Sequence, residues 1–177
     1  MGKLLHQIIF YEDRNFGGRY YECMSDCADL HSMFQRCRSI RVESGMFMIY
    51  DRPGYTGNQY FMKRGGYADY MGKAGMNNCV RSCRMIPSHS STFRIRLYEH
   101  FDMGGEMELT SDCPNLLDRF RISNFNSCNV MEGHWLMYDH TNFRGRHYYL
   151  RPGVYRSFSD WNGTNSKMGS IRRLMDL

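Results

Sequence analysis

Sulfur and imidazole are the side chains in this sequence best suited to chemistry. Seven Cys stand at 23, 27, 37, 79, 83, 113 and 128, including two close pairs, Cys23/Cys27 and Cys79/Cys83. Zinc would take ligand pairs such as Cys-x2-Cys with matching His, whereas these pairs have three residues between. No His pair at ligand spacing accompanies them. An odd count without an export signal also argues against a disulfide framework. The expectation is free, buried or half-buried thiols, with no cofactor. His89 falls in a linker-like stretch, and His100, His140 and His147 fall on turn and strand segments. No nucleophile elbow, phosphate loop, dinucleotide fingerprint or zinc-protease signature surrounds them. The chain is therefore read as something other than an enzyme.

The elements that carry these residues repeat. Tyr11-Glu12-Asp13-Arg14-Asn15-Phe16-Gly17-Gly18 reads as an aromatic, four residues, an aromatic, one residue, then Gly. The pattern returns at Tyr50, Tyr55 and Gly57, and at Tyr138, Phe143 and Gly145. A weaker copy has Tyr98, Met103 and Gly105. Each copy is followed by a Ser that opens a short strand: Ser39, Ser82, Ser127 and Ser170. From leading Tyr to Ser the offsets are 28, 32, 29 and 32 residues, so short and long copies alternate. Between the halves the shift is 87 residues from Tyr11 to Tyr98, and 88 from Tyr50 to Tyr138, Ser39 to Ser127 and Ser82 to Ser170. Such a sequence is a two-motif domain copied once.

Within each motif the period is two, as in Phe93-Arg94-Ile95-Arg96-Leu97-Tyr98, which predicts strands. Short strands with Gly-rich turns predict an all-β sandwich. Pro87-Ser88-His89-Ser90-Ser91-Thr92 lacks the pattern and reads as a linker. The expected domains are 1–86 and 93–177, joined by 87–92, with motifs at about 3–43, 44–86, 93–132 and 133–177. Short helical turns are expected near Asp112–Leu117, and no long helices. A hairpin folded over its sheet forces positive φ somewhere, which Gly accepts without a Cβ clash. The downstream Ser hydroxyl can satisfy backbone groups that the fold-over leaves unpaired.

Charge excludes some functions. Nineteen Arg and four Lys against 18 acidic residues give +5, spread along the chain. Arg36-Cys37-Arg38-Ser39-Ile40-Arg41 alternates, which on a strand puts Arg on one face, read here as a solvated sheet face. A nucleic-acid surface calls for a basic block instead. No apolar run approaches the ~18 residues of a membrane helix. Met1-Gly2-Lys3-Leu4-Leu5-His6 is too short and mixed for a secretory signal, so a cytoplasmic protein is expected.

The Tyr-x4-aromatic-x-Gly hairpin with its Ser resembles the beta/gamma-crystallin superfamily, over about Lys3 to Leu177. The resemblance implies two tandem β-sandwich domains, each of two Greek-key motifs. Arg64-Gly65-Gly66-Tyr67 and Arg151-Pro152-Gly153-Val154-Tyr155 are similar to the family's tyrosine corners, at Tyr67 and Tyr155. The short linker and absence of an N-terminal arm resemble the monomeric gamma branch. The 15 Met resemble the methionine-rich M-type gamma-crystallins of aquatic lenses. Of four core Trp in the family, Trp135 and Trp161 match, whereas Phe47 and Lys73 stand at the other two places. Met103 replaces the aromatic of the third motif.

This resemblance implies a structural constituent of the eye lens, in the cytoplasm of lens fibre cells. Such a protein is mostly monomeric and associates weakly with itself and with other crystallins at high concentration. It has no nucleic-acid or membrane partner. Register with the family implies an apolar domain interface of Met48, Phe61 and Ile86 against Leu136, Tyr149 and Leu174, each 88 residues from its counterpart. The alternative is a calcium-binding module of non-lens type. Some members bind calcium through an Asn/Asp pair, two spacers and Ser/Thr-Ser. Asn77, Asn78 and Ser82 fit degenerately, since Arg81 takes a hydroxyl position and brings positive charge where calcium wants oxygen.

Overall fold

A computed structural model describes residues 5–30, 32, 36–69, 80–87, 92–101 and 104–175, with only the backbone of Glu106. The chain divides into two compact units, Met1–Ser88 and His89–Leu177.

The first unit contains β1 (Gln7–Tyr11), β2 (Tyr20–Cys23), β3 (Ser39–Ser44), β4 (Met46–Arg52), β5 (Thr56–Met62), β6 (Gly65–Tyr67) and β7 (Ser82–Ile86). They form one sheet ordered β2-β1-β3-β6 and another ordered β5-β4-β7. Strand β6 belongs by sequence to the second motif, yet it pairs with β3 of the first, with Ile40 opposite Tyr67. The core between the sheets gathers Ile8, Phe10, Ile40, Phe47, Ile49 and Met62, among others.

The second unit repeats this plan. It contains β8 (Arg94–Tyr98), β9 (Glu106–Leu109), β10 (Ser127–Glu132), β11 (Trp135–His140), β12 (Arg144–Leu150), β13 (Gly153–Tyr155) and β14 (Ser170–Arg173). Its sheets are ordered β13-β10-β8-β9 and β12-β11-β14, and β13 of the fourth motif pairs with β10 of the third. In β8 the burial pattern alternates: Ile95 and Leu97 point inward, and Arg94 and Arg96 stay half-exposed. Both guanidinium groups reach Glu108 on the neighbouring strand, at 2.9 and 3.1 Å. The hydrogen bonds from Arg94 and then Arg96 hold the Glu108 carboxyl below its ordinary range.

The only α-helix among the described residues is α1, Leu116–Phe120, slightly later than the expected turn at 112–117. Asn115 caps it, its side-chain oxygen accepting from the Asp118 N–H at 3.1 Å, as a short polar residue at an N-cap does. Phe158–Trp161 form a single 3-10 turn.

The two cores differ at one matched pair. In the second unit Phe93 sits edge-on to Trp135, with ring centroids 5.8 Å apart. In the first unit His6 and Phe47 take those places, at 5.9 Å. The His6 ring nitrogen Nε2 donates to the Ile86 carbonyl at 2.8 Å, which satisfies a buried polar group. Lys73, at the other missing Trp, lies outside the described residues.

Candidate functional site

The recurring hairpins concentrate the unusual geometry of this molecule. In the second motif Gly54, Tyr55 and Gly57 all have left-handed φ, at +70°, +61° and +81°. A Cβ on Gly57 would lie 2.0 Å from Asp51 Oδ1. That carboxylate instead accepts the Asn58 N–H at 2.9 Å. The leading Tyr50 meets Tyr55 edge-on, 5.9 Å between centroids. Ser82 ties the hairpin down: its hydroxyl accepts the Tyr55 N–H at 3.1 Å and donates to the Arg52 carbonyl at 2.6 Å. Ser82 is fully buried, so neither backbone group has water as an easy substitute.

The first and fourth motifs reproduce this arrangement. Phe16 is at φ +60° and Gly18 at +77°; Phe143 is at +59° and Gly145 at +87°. Ser39 accepts the Phe16 N–H at 2.9 Å and donates to Asp13 O at 2.5 Å. Ser170 accepts the Phe143 N–H at 3.0 Å and donates to His140 O at 2.6 Å. Tyr11 meets Phe16 at 5.6 Å and Tyr138 meets Phe143 at 5.9 Å. Phe16 also packs on the bare Cα of Gly66, where a Cβ would be 3.0 Å from its ring.

The third motif is the divergent copy. Gly105 keeps φ +70°, and Ser127 donates to His100 O at 2.5 Å. Asn126 adds a side-chain hydrogen bond to Glu99 O at 2.7 Å. Met103 lies outside the described residues, while Tyr98 is buried.

Two features of these hairpins escaped the sequence reading. The first is that the second aromatic, and not the glycine alone, adopts left-handed φ, which costs a non-Gly residue energy. The second concerns the Arg two places after the Ser. Arg84 lies 3.7 Å over the Tyr55 ring and Arg41 lies 4.1 Å over Phe16. Arg41 was expected simply to be solvated; instead it and Arg84 cover the strained aromatic. In the fourth motif Arg172 lies 5.8 Å from the ring of Tyr138, the leading aromatic. The third motif has Asn129 at this place and Met103 in place of the aromatic, so ring and guanidinium are missing together.

The remaining candidate residues occupy other parts of the two units. Tyr67 donates its hydroxyl to Lys63 O at 2.9 Å. The Tyr155 hydroxyl donates to Arg151 O at 3.0 Å and accepts the Arg151 N–H at 2.7 Å. Met48, Ile86, Leu136, Tyr149 and Leu174 are buried, and Phe61 is half-buried. The polar tip of Tyr149 is satisfied by His134 Nδ1 at 2.7 Å. Asn77 and Asn78 lie outside the described residues, and both hydrogen-bonding directions of the Ser82 hydroxyl are already used within the hairpin.

Six cysteines are described, and all are free thiols. Burial pushes the Cys37 thiol up to about 12 and raises Cys128 as well. Cys83 is raised first by its hydrogen bond with Cys23 and then by burial, while the same contact lowers Cys23. Cys27 is the more open of that group. Its backbone pairs with Cys83, N–H to carbonyl, at 2.9 and 3.0 Å. Among the histidines, His100 and His140 are exposed, but His147 is half-buried and its ring nitrogen is held below the ordinary range by desolvation. His89 lies outside the described residues. No helix among the described residues is long and apolar enough to cross a membrane.

Comparison with known proteins agrees with this geometry. The Beta/Gamma crystallin family model matches residues 7–86 and 94–174. The chain is 56% identical to gamma-crystallin M3 of Cyprinus carpio, over all of this chain and 99% of that one. It is 54% identical to gamma-crystallin S-1 of Chiloscyllium indicum, over 99% of this chain and 100% of that one. It is also 54% identical to gamma-crystallin B of Bos taurus, over 99% of each chain.

Proposed function

The chain belongs to the beta/gamma crystallin family, and from that premise we propose that it is a structural constituent of the eye lens, valued for dense packing and refractive power. The observation that carries this reading is the full-length similarity to gamma-crystallins at 54–56% identity. The side chains supply the physical reason. Refraction follows polarisable electrons, and sulfur is the most polarisable common side-chain atom. Aromatic rings and guanidinium groups add to it. The sequence holds 15 Met, 7 Cys, 11 Phe, 13 Tyr and 2 Trp, with 19 of its 23 basic residues Arg. Interspersed charges of both signs, with a net +5, keep such a protein soluble when crowded.

In this reading the protein acts by occupying volume and catalyses nothing. It is cytoplasmic, monomeric, and only weakly attracted to its own copies and to other crystallins. From the 88-residue register we also propose that Met48, Phe61 and Ile86 pair with Leu136, Tyr149 and Leu174, with 87–92 as linker. Phe61→Ala should then lower the first unfolding transition, and an unchanged transition would count against the pairing. The calcium-binding alternative is not favoured.

The decisive experiment is differential refractometry on concentrated protein. A refractive increment above that of an ordinary globular protein, with clear solutions at high concentration, is expected. An ordinary increment removes the optical reading.

A further inference from the structure

We propose that Asn162 is a deamidation site whose reactivity is gated by the turn that ends the 3-10 segment. Asn162-Gly163 is the only Asn-Gly step in the sequence. The reaction needs no enzyme and no oxidant. The Gly163 amide nitrogen loses its proton and attacks Cγ of Asn162. Ammonia leaves and a five-membered succinimide closes. Water then opens either carbonyl, giving Asp or isoaspartate; the net change is one water consumed and one ammonia released. Glycine favours the attack because no Cβ hinders its nitrogen.

The fold requires this labile pair of residues and also restrains it. Asn162 ends the turn in the left-handed region, at φ +67° and ψ +21°, a conformation that Asn tolerates better than most residues. Gly163 cannot be larger without disturbance, since a Cβ there would lie 2.7 Å from the Trp161 indole nitrogen and 3.0 Å from Phe158 O. The attacking nitrogen, however, is engaged: the Gly163 N–H donates to Phe158 O at 2.9 Å, and the Asn162 N–H donates to Ser159 O at 3.1 Å. Attack requires the first bond to break and Asn162 to leave its left-handed well. Both residues are half-exposed, so water reaches them once the turn opens.

Asp160 holds the start of the same turn, its Oδ2 accepting the Arg156 and Ser157 N–H groups at 2.9 and 3.4 Å. Opening of the turn therefore sets the rate. Isoaspartate adds a backbone carbon between residues 162 and 163, directly after Trp161, which is part of the core and 6.2 Å from the Tyr155 ring. Either product also lowers the net charge of +5 by one.

The test follows deamidation of the full chain by peptide mass mapping and isoaspartyl methylation, natively and in denaturing urea. In urea, Asn162 should convert before any other Asn. In the native state it should convert at least about tenfold more slowly, as a closed local structure demands. Asp160→Ala should speed the native reaction and leave the urea rate alone. The native rate should also track hydrogen exchange at the Gly163 N–H as urea is raised below the unfolding transition, a measurement that needs no variant. Another Asn converting first in urea overturns the site. Equal native and unfolded rates, or a native rate that ignores Gly163 exchange, overturn the gate.

Discussion

The hydroxyl of Ser82 accepts the N–H of Tyr55 at 3.1 Å, joining residues 27 positions apart in sequence. Its proton goes to Arg52 O at 2.6 Å. One small side chain thus satisfies both ends of a hairpin whose central aromatic is left-handed, and the relationship recurs at Ser39 and Ser170.

Replacing Ser82 by Ala strands a donor and an acceptor in a buried place. The expected cost is about 1–3 kcal/mol in chemical denaturation, the penalty for leaving a buried polar group unpaired. Ser127→Ala, which removes the hydroxyl that donates to His100 O, should destabilise the second unit in the same way. Equal stability of Ser82→Ala and the parent would remove the hydroxyl from the account.

Two glycines of one hairpin separate strain from collision. Gly54 and Gly57 share left-handed φ, but a Cβ at Gly54 meets nothing within 4 Å, while at Gly57 it meets Asp51 Oδ1 at 2.0 Å. Gly54→Ala should cost only the backbone penalty, about 1–2 kcal/mol. Gly57→Ala should cost more, and thermal unfolding of the two variants would rank them.

Arg84 over Tyr55 tests the guanidinium stack. Arg84→Lys keeps the charge and loses the planar surface, so it should lose much of an interaction of about 0.5–2 kcal/mol. A denaturation midpoint equal to that of the parent would remove the stack from the account.

Alkali should destabilise the fold through its thiols. Burial holds Cys37 at about 12 against an ordinary value of 9.0. Cys83 and Cys128 are raised too. Between pH 9.0 and about 12 the unfolded chain has lost protons that the folded chain keeps, so stability is complete below 9.0 and declines above it. Of the six described thiols, Cys27 should react before the buried Cys37 and Cys128, as mass mapping of labelled protein would reveal.

His147 gives the opposite slope in acid. Desolvation lowers its folded value below 6.5. As pH falls through 6.5 the unfolded chain takes up the proton first, and stability drops. Gln59 stands at the matching place in the first unit. His147→Gln should flatten the stability of the second unit through this range, as unfolding curves across pH would record.

Much of this architecture was legible because it is written twice. The shift from Ser39 to Ser127 and from Ser82 to Ser170, and the Gly at each hairpin end, require only residue types and counting. Left-handed Phe16, Tyr55 and Phe143 were hidden because nothing in an aromatic side chain announces positive φ; tertiary contacts impose it. The Arg stack was hidden for a related reason. Alternation places Arg41 and Arg84 on an outer face, but only the folded-over hairpin brings a ring beneath them. His6 in the place of Phe93 was unreadable because it precedes the first strand and is held by a partner 80 residues away.

Strands β6 and β13 each complete a sheet begun by the preceding motif. A nascent polypeptide leaving the ribosome therefore has no finished layer after its first 44 residues; that layer gains its outer strand only when Tyr67 has emerged. The facing layer waits longer still, for Ile86. Synthesis of each half must therefore run nearly to its end before both of its sheets can be complete.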